Sequence, residues 1–339
     1  MAQAPATAPA TQTTRPTQPA RPGRTFALLV GGMSGSPVYA RRHQDWLKRF
    51  HALLTKAGAK AEDIVAICGD KDFKDPIVKG IATSDAIIEA LADMAAKVGP
   101  QDQFVLVIVG HGSSSDEVPA LVLPGPDLRG EALAKALSAV GGNQVVLDLS
   151  GCSGQFLKPL AKKGRVNISA LSPDDTAEPV FAEFFLRGME SGRADADKNG
   201  TVTLLEAYNW AAYQTALWIS RQTATEDKTW VVDGKESVEI FKKLCSGAEG
   251  QGGARTLDPS SDATKEDAIV DVILPSDRAD AKAWGDRRII IEHAMVEDLG
   301  LETGVSALRG EKGHDPVAPA KAGEEGFLAG QTVLGKPAN

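Results

Sequence analysis

Two short apolar runs most constrain what this chain can become: FVLVIV at 104–109 and QVVLDL at 144–149. Each is too short for an ordinary helix and rich in Val, Ile and Leu. With hardly a polar side chain in either, both faces have to be covered, as for strands inside a parallel sheet. Each run ends in a turn of small residues, Gly110-His111-Gly112 after the first and Ser150-Gly151-Cys152-Ser153-Gly154 after the second. Side chains at the carboxyl ends of neighbouring parallel strands open into one crevice. A histidine and a cysteine there can form a thiolate nucleophile and its base, with His111 as general base and then acid. The backbone N–H groups of Cys152 and Gly112 are the expected oxyanion donors.

The remaining sequence supplies the rest of such a sheet. FALLVGG (26–32), DIVAICG (63–69) and RVNISAL (165–171) read as further buried strands. Helical periodicity at 42–58, 84–98, 128–142, 156–162, 179–190 and 203–221 places a helix between or after most of them. The alternation predicts an α/β domain, with helices on both faces of a mostly parallel sheet, over residues 25–225. The segment 1–24, rich in Ala, Pro, Thr and Gln, is expected to be a disordered leader, either the stub of an exported (periplasmic or secreted) protein or a cytoplasmic tail. Residues 226–339 read as a looped extension packed on the same domain, with strand-like runs at 268–274 and 287–295. His43 and His51 fall on the first helix as packing or surface histidines. Gly31, Gly32 and Gly35 match no phosphate-cradling pattern, so no organic cofactor is expected.

Charge and cysteine content narrow the function. A net charge of −8 offers nucleic acid or an anionic membrane surface no attraction. No apolar run is long enough to span a bilayer. Three cysteines, Cys68, Cys152 and Cys245, are too few for a disulfide framework. The expected partner is a peptide or protein, as substrate or ligand.

The chain resembles the caspase/legumain/gingipain superfamily of cysteine peptidases (clan CD), in particular a bacterial group related to the legumain branch. The likeness is carried by FALLVGG, the His111-Gly112 turn, LPGPDLRG (123–130), the strand before Cys152, the stretch 164–188, ADADKNGTVTLLEAYNWA (194–211) and EHAMVED (292–298). It implies a caspase-like three-layer α/β/α fold, a catalytic histidine at the HG turn and a cysteine after the next core strand, and cleavage after acidic, basic or Asn residues, set by a specificity pocket. Asp174 and Asp175 stand where that pocket would lie, and acidic residues there would favour Lys or Arg. The nucleophile of this superfamily commonly stands in D-x-C-x-S-G, whereas this chain has D-L-S-G-C-S-G at 148–154. Anchored on Asp148, the pattern puts Ser150 at the nucleophile; anchored on Ser153-Gly154, it puts Gly151 there. Three readings stay open: a His111–Cys152 dyad, Ser150 as an alternative nucleophile, and a silent member that serves as a binding or scaffolding module. Asp116 and Glu117 are candidates for orienting the base or for substrate contact.

A second feature is independent of the first. Asp195, Asp197, Asn199, Gly200, Thr201, Thr203 and Glu206 match the EF-hand calcium loop at every fixed position. Asp195, Asp197 and Asn199 offer side-chain oxygens, Thr201 its carbonyl, Thr203 a direct or water-borne contact, and Glu206 a bidentate carboxylate. Ca2+ is the expected metal.

Overall fold

The structure is a computed structural model and describes residues 23–115, 118–175, 177–224, 292–308 and 315–337. Strand and helix alternate through β1 (Thr25–Gly31), α1 (Pro37–Lys56), β2 (Ile64–Cys68), the short β3 (Val78–Gly80), α2 (Ser84–Lys97) and β4 (Gln103–Gly110). A small antiparallel excursion follows in β5 (Gly112–Ser115), β6 (Val118–Leu121) and β7 (Leu128–Arg129). Then come α3 (Gly130–Ser138), β8 (Asn143–Ser150), α4 (Ser153–Leu160), β9 (Arg165–Ser169), α5 (Phe181–Ser191) and α6 (Leu204–Ala224). The described elements end with β10 (Met295–Glu297), β11 (Val305–Ser306) and α7 (Phe327–Gln331).

The main sheet runs in the order β11-β10-β9-β8-β4-β1-β2-β3. Strands β1, β2, β3, β4, β8 and β9 are parallel, and β10 and β11 add antiparallel at one edge. From β1 the chain winds outward through β2 and β3, then crosses back to β4 and winds the other way. The crevice at the carboxyl ends of β1 and β4 is thus a topological switch point, where connections leave in opposite directions and open a gap.

Alternation along the strands sorts the core into two layers. Ala27, Leu29, Val105, Val107, Val109, Leu147 and Leu149 face Trp46, Phe50, Phe181, Phe185 and Tyr208 of α1, α5 and α6. Phe26, Leu28, Leu106, Ile108 and Val146 face Ile87, Leu91, Leu133, Leu137 and Phe156 of α2, α3 and α4. The expected α/β class with a mostly parallel sheet between helices is therefore present. No described helix is long and apolar enough to cross a membrane.

Several element boundaries differ from expectation for local reasons. Helix α1 starts at Pro37, where Ser36 caps it by accepting from the Tyr39 N–H and proline preorganises the first turn. Thr83 caps α2 by accepting the Ala86 N–H. Leu128 and Arg129, expected in a helix, pair with β6 instead. The run at 268–274 lies outside the described residues, and of the run at 287–295 only the last four residues are described.

At the opposite end of the strands from the crevice, Gln103 gathers the C-terminal stretch. Its Nε2 donates to the carbonyls of Val333 and Lys336 at 3.0 and 3.1 Å, and its Oε1 accepts the Gly335 N–H at 2.7 Å. The Thr25 hydroxyl donates to the Gly335 carbonyl. Gly23 lies against Pro337, so closely that a Cβ on Gly23 would crowd the proline ring.

Phe185 is the hinge of the α1/α5 layer, its ring 6.2 Å from Phe50 and 6.1 Å from Phe181. Phe185→Ala is expected to cost about 3–5 kcal/mol, as deletion of a fully buried aromatic ring does. Urea unfolding followed by far-UV circular dichroism checks this.

Candidate functional site

His111 leaves β4 in a position fixed by three strands. Its N–H donates to the Met33 carbonyl at 2.8 Å, and its carbonyl accepts the Val122 N–H at 3.0 Å. The imidazole is 30% exposed and points to the α1 side of the sheet, where the Tyr39 ring meets it edge-on. Its Nδ1 is bonded to Glu178 Oε1, and its Nε2 lies under Gly35, where a Cβ would overlap the ring. Gly35 has φ +69, so both its conformation and its closeness to the imidazole call for glycine.

Glu178 stands between two histidines. Its second oxygen, Oε2, is 3.5 Å from Nε2 of His43, which is 2% exposed. His43 Nδ1 bonds to Ser34 Oγ at 2.9 Å, and Ser34 donates to Asp70 Oδ2 at 2.7 Å. Because the Ser34 proton goes to Asp70, Ser34 accepts from His43, which therefore carries its proton on Nδ1. Burial, with the Arg42 guanidinium adding to it, lowers the His43 pKa to about 3. His43 is thus neutral, with a bare Nε2 toward Glu178. Glu178 Oε2 has no hydrogen-bond partner although buried, a condition that typically costs about 1–3 kcal/mol. Burial, then the His43 ring, also lower the His111 pKa against the pull of Asp70.

Cys152 belongs to the other face. It is 0% exposed, sits among the α2/α3/α4 residues, and its Sγ donates to the Ala120 carbonyl at 3.7 Å. Burial, then the Asp148 charge, push its thiol up to about 12. Val146, Asp148 and Ser150 share one parity along β8, so Ser150 points to the layer that holds Val146 and Cys152 and is likewise 0% exposed. Asp148, beside it, accepts the Ser150 N–H, and burial raises its carboxyl to about 6. The residue presented toward His111 is Gly151. A Cβ there would stand 3.0 Å from the Ala177 carbonyl and 3.3 Å from both Glu178 Oε1 and the Gly112 nitrogen. Gly112 packs so tightly on Cys152 that a Cβ would overlap Sγ. His111 and Gly112 are therefore brought together with Gly151, while the Cys152 thiol and the Ser150 hydroxyl are turned away.

The other expected residues separate. Asp174 is exposed. Asp175 is turned inward: its Oδ2 accepts from His293 Nδ1 at 2.9 Å and from the Ser172 hydroxyl at 2.8 Å, which makes it a tie between loops and not a pocket wall. Asp116 and Glu117 lie outside the described residues. His43, expected to be a packing or surface histidine without partners, is a buried member of the rim network.

The acidic loop holds its expected residues together. Ligand oxygens of Asp195, Asp197 and Glu206 lie within 4.8 Å of one another, and the groups are half-buried or exposed. Gly200 has φ +83 and its N–H donates to Asp195 Oδ2 at 2.8 Å. Thr203 and Glu206 form a capping box at the start of α6: Glu206 Oε2 accepts the Thr203 N–H, and Thr203 Oγ1 accepts the Glu206 N–H. Asn199 Oδ1 accepts the Thr201 N–H. An all-oxygen set around a glycine turn suits a hard divalent cation.

No family model matches the chain, and no curated protein matches it. Among solved structures the chain is similar to the crystal structure of protein GSU0716 from Geobacter sulfurreducens, with 15% identity and a TM-score of 0.38, over 50% of this chain and 83% of that one. The site therefore stands on its own geometry.

The His43 reading is testable. A histidine lowered from 6.5 to about 3 in the fold binds fewer protons than the unfolded chain between those values. Its contribution to stability is thus full above pH 6.5 and is lost as pH falls toward 3. In side-chain NMR, the His43 ring is expected to show no titration step between pH 5 and 8, and a step near 6.5 would refute its neutral burial.

Proposed function

We propose that this chain is a caspase-like module without thiol peptidase chemistry, a calcium-stabilised binding or scaffolding protein whose rim crevice takes a peptide or protein ligand and leaves it intact. The observation that carries this is the pairing of a buried, face-reversed Cys152 with Gly151 at the imidazole. A cysteine peptidase needs sulfur and imidazole nitrogen within about 3–4 Å, so that the proton can pass between them. Here the thiol is bonded to a carbonyl on the far face, Nδ1 of His111 is taken by Glu178, and Nε2 is covered by Gly35. Ser150 offers no substitute, since its hydroxyl is buried on the same face as the thiol. The layer order, the switch-point crevice and the HG turn at the end of β4 support the caspase-like assignment. An extracytoplasmic setting, where calcium is abundant, would fill a weak calcium loop of this kind.

Calcium would be held by Asp195, Asp197, Asn199, Thr201, Thr203 and Glu206. Its role would be structural: it neutralises three converging carboxylates and fixes the approach to α6, whose Tyr208 hydroxyl bonds the Ala294 carbonyl and the Ala307 N–H.

Two measurements test the proposal. Iodoacetamide labelling of Cys152 in the native chain, read by peptide mapping, is expected to be slow, to be indifferent to His111→Ala, and to rise about tenfold per pH unit with thiolate fraction. Rapid labelling abolished by His111→Ala would restore the peptidase dyad. Calcium at a hundredfold over its Kd is expected to stabilise the fold by about 2.7 kcal/mol, seen as a rise in Tm that Glu206→Ala or EDTA removes. No shift at about 10 mM calcium, above the range of weak extracellular loops, would sink the calcium part.

A further inference from the structure

The Glu178 carboxylate is placed as a ligand's would be. It enters from the irregular stretch between β9 and α5 and occupies the space in front of Gly151 that a side chain on that residue would fill. It is held well by one oxygen only. Oε1 meets His111 Nδ1, while Oε2 faces the bare Nε2 of His43 and has no hydrogen-bond partner. A further donor is close at hand. The Val122 N–H bonds the His111 carbonyl, so alternation along the β5–β6 pair turns the Gly112 N–H away from β6. That nitrogen lies 3.3 Å from the Cβ position on Gly151, itself 3.3 Å from Glu178 Oε1. An imidazole nitrogen and a backbone amide thus stand near the same carboxylate, which is bonded to the imidazole.

We propose that the space between His111, His43, Gly112 and Gly151 is a carboxylate-binding pocket, that Glu178 fills it when no ligand is present, and that a peptide's carboxylate displaces Glu178 from it. The proposal rests on the non-peptidase reading, because it gives the rim a binding role in place of catalysis. Exchange of one carboxylate for another leaves the charge of the pocket unchanged, so its energetic penalty is limited to moving the Glu178 side chain and its loop. The ligand gains by approaching at an angle that reaches the Gly112 amide as well as His111. Glu178 therefore sets a threshold: free acetate displaces it weakly, and a carboxylate presented on a backbone that also pairs with the rim displaces it more readily.

The test is an acetate titration of the full chain carrying isotope-labelled histidine, comparing wild type with Glu178→Ala and Glu178→Gln. Acetate is expected to bind Glu178→Ala saturably, at least tenfold more tightly than wild type, and to shift the ring resonances of His111 and His43; sodium chloride at equal ionic strength does neither. In Glu178→Gln the new amide N–H can donate to His43 Nε2 while its carbonyl accepts from His111, so the pocket is sealed and acetate binds at least tenfold more weakly than to wild type. Should Glu178→Ala fail to fold, the wild-type and Gln comparison decides alone. Two peptides, acetyl-Ala-Ala-Ala with a free carboxyl terminus and acetyl-Ala-Glu-Ala amide, show whether a terminal or a side-chain carboxylate is taken. Equal acetate affinity in all three proteins, or unmoved His111 and His43 resonances, overturns the pocket. Cys152 alkylation is read in the same samples: fast His111-dependent labelling overturns the non-peptidase reading, whereas slow labelling without acetate binding overturns the pocket alone.

Discussion

The two-residue periodicity of β8 decides what the rim can do. Val146 turns to the α2/α3/α4 layer and Leu147 and Leu149 to the α1/α5/α6 layer, and in the turn after β8 Cys152 joins the former. Moving a functional group by one position along such a segment moves it through the sheet. The thiol therefore ends in a hydrocarbon environment against the Ala120 carbonyl, and the face toward the imidazole keeps only the hydrogen of Gly151. Nothing else about the crevice needs to be altered to separate nucleophile from base.

The space left at Gly151 is not wasted, and its refilling explains the chemistry around it. Glu178 enters, the paired histidines are drawn into a low-dielectric pocket, and both imidazoles are biased toward the neutral form. Ser34 and Asp70 fix the tautomer of His43 from behind, so the direction of every proton in the chain from Asp70 to His43 follows from one hydroxyl.

Much of this was legible in the sequence because buried parallel strands have few ways to be written. The runs at 26–32 and 104–109 are apolar on both faces, and 144–149 nearly so, and that property led directly to the two-sided sheet and to the turns bearing His111 and Cys152. The D-L-S-G-C-S-G spacing already raised the question of parity, yet a glycine turn can absorb or transmit a one-residue offset, and only coordinates say which. Glu178 left no local sign: it sits in an irregular stretch far from His111 in sequence, and its meaning arises when β9 is laid beside β8. His43 was missed for the same reason, since its partners come from the β1 turn and the α5 approach. Asp175 looked like a pocket residue by position, and the His293 contact that turns it inward involves a segment more than a hundred residues away. The acidic loop was readable because all its oxygens come from one continuous stretch.

The Gln103 clamp has a bearing on how the molecule would be used. By binding three backbone groups of residues 333–336 it brings position 337 beside position 23, at the pole where the strands begin. The crevice lies at the pole where they end. A tether attached at either of these points would leave from the back of the molecule, and whatever it carried would hang clear of the mouth.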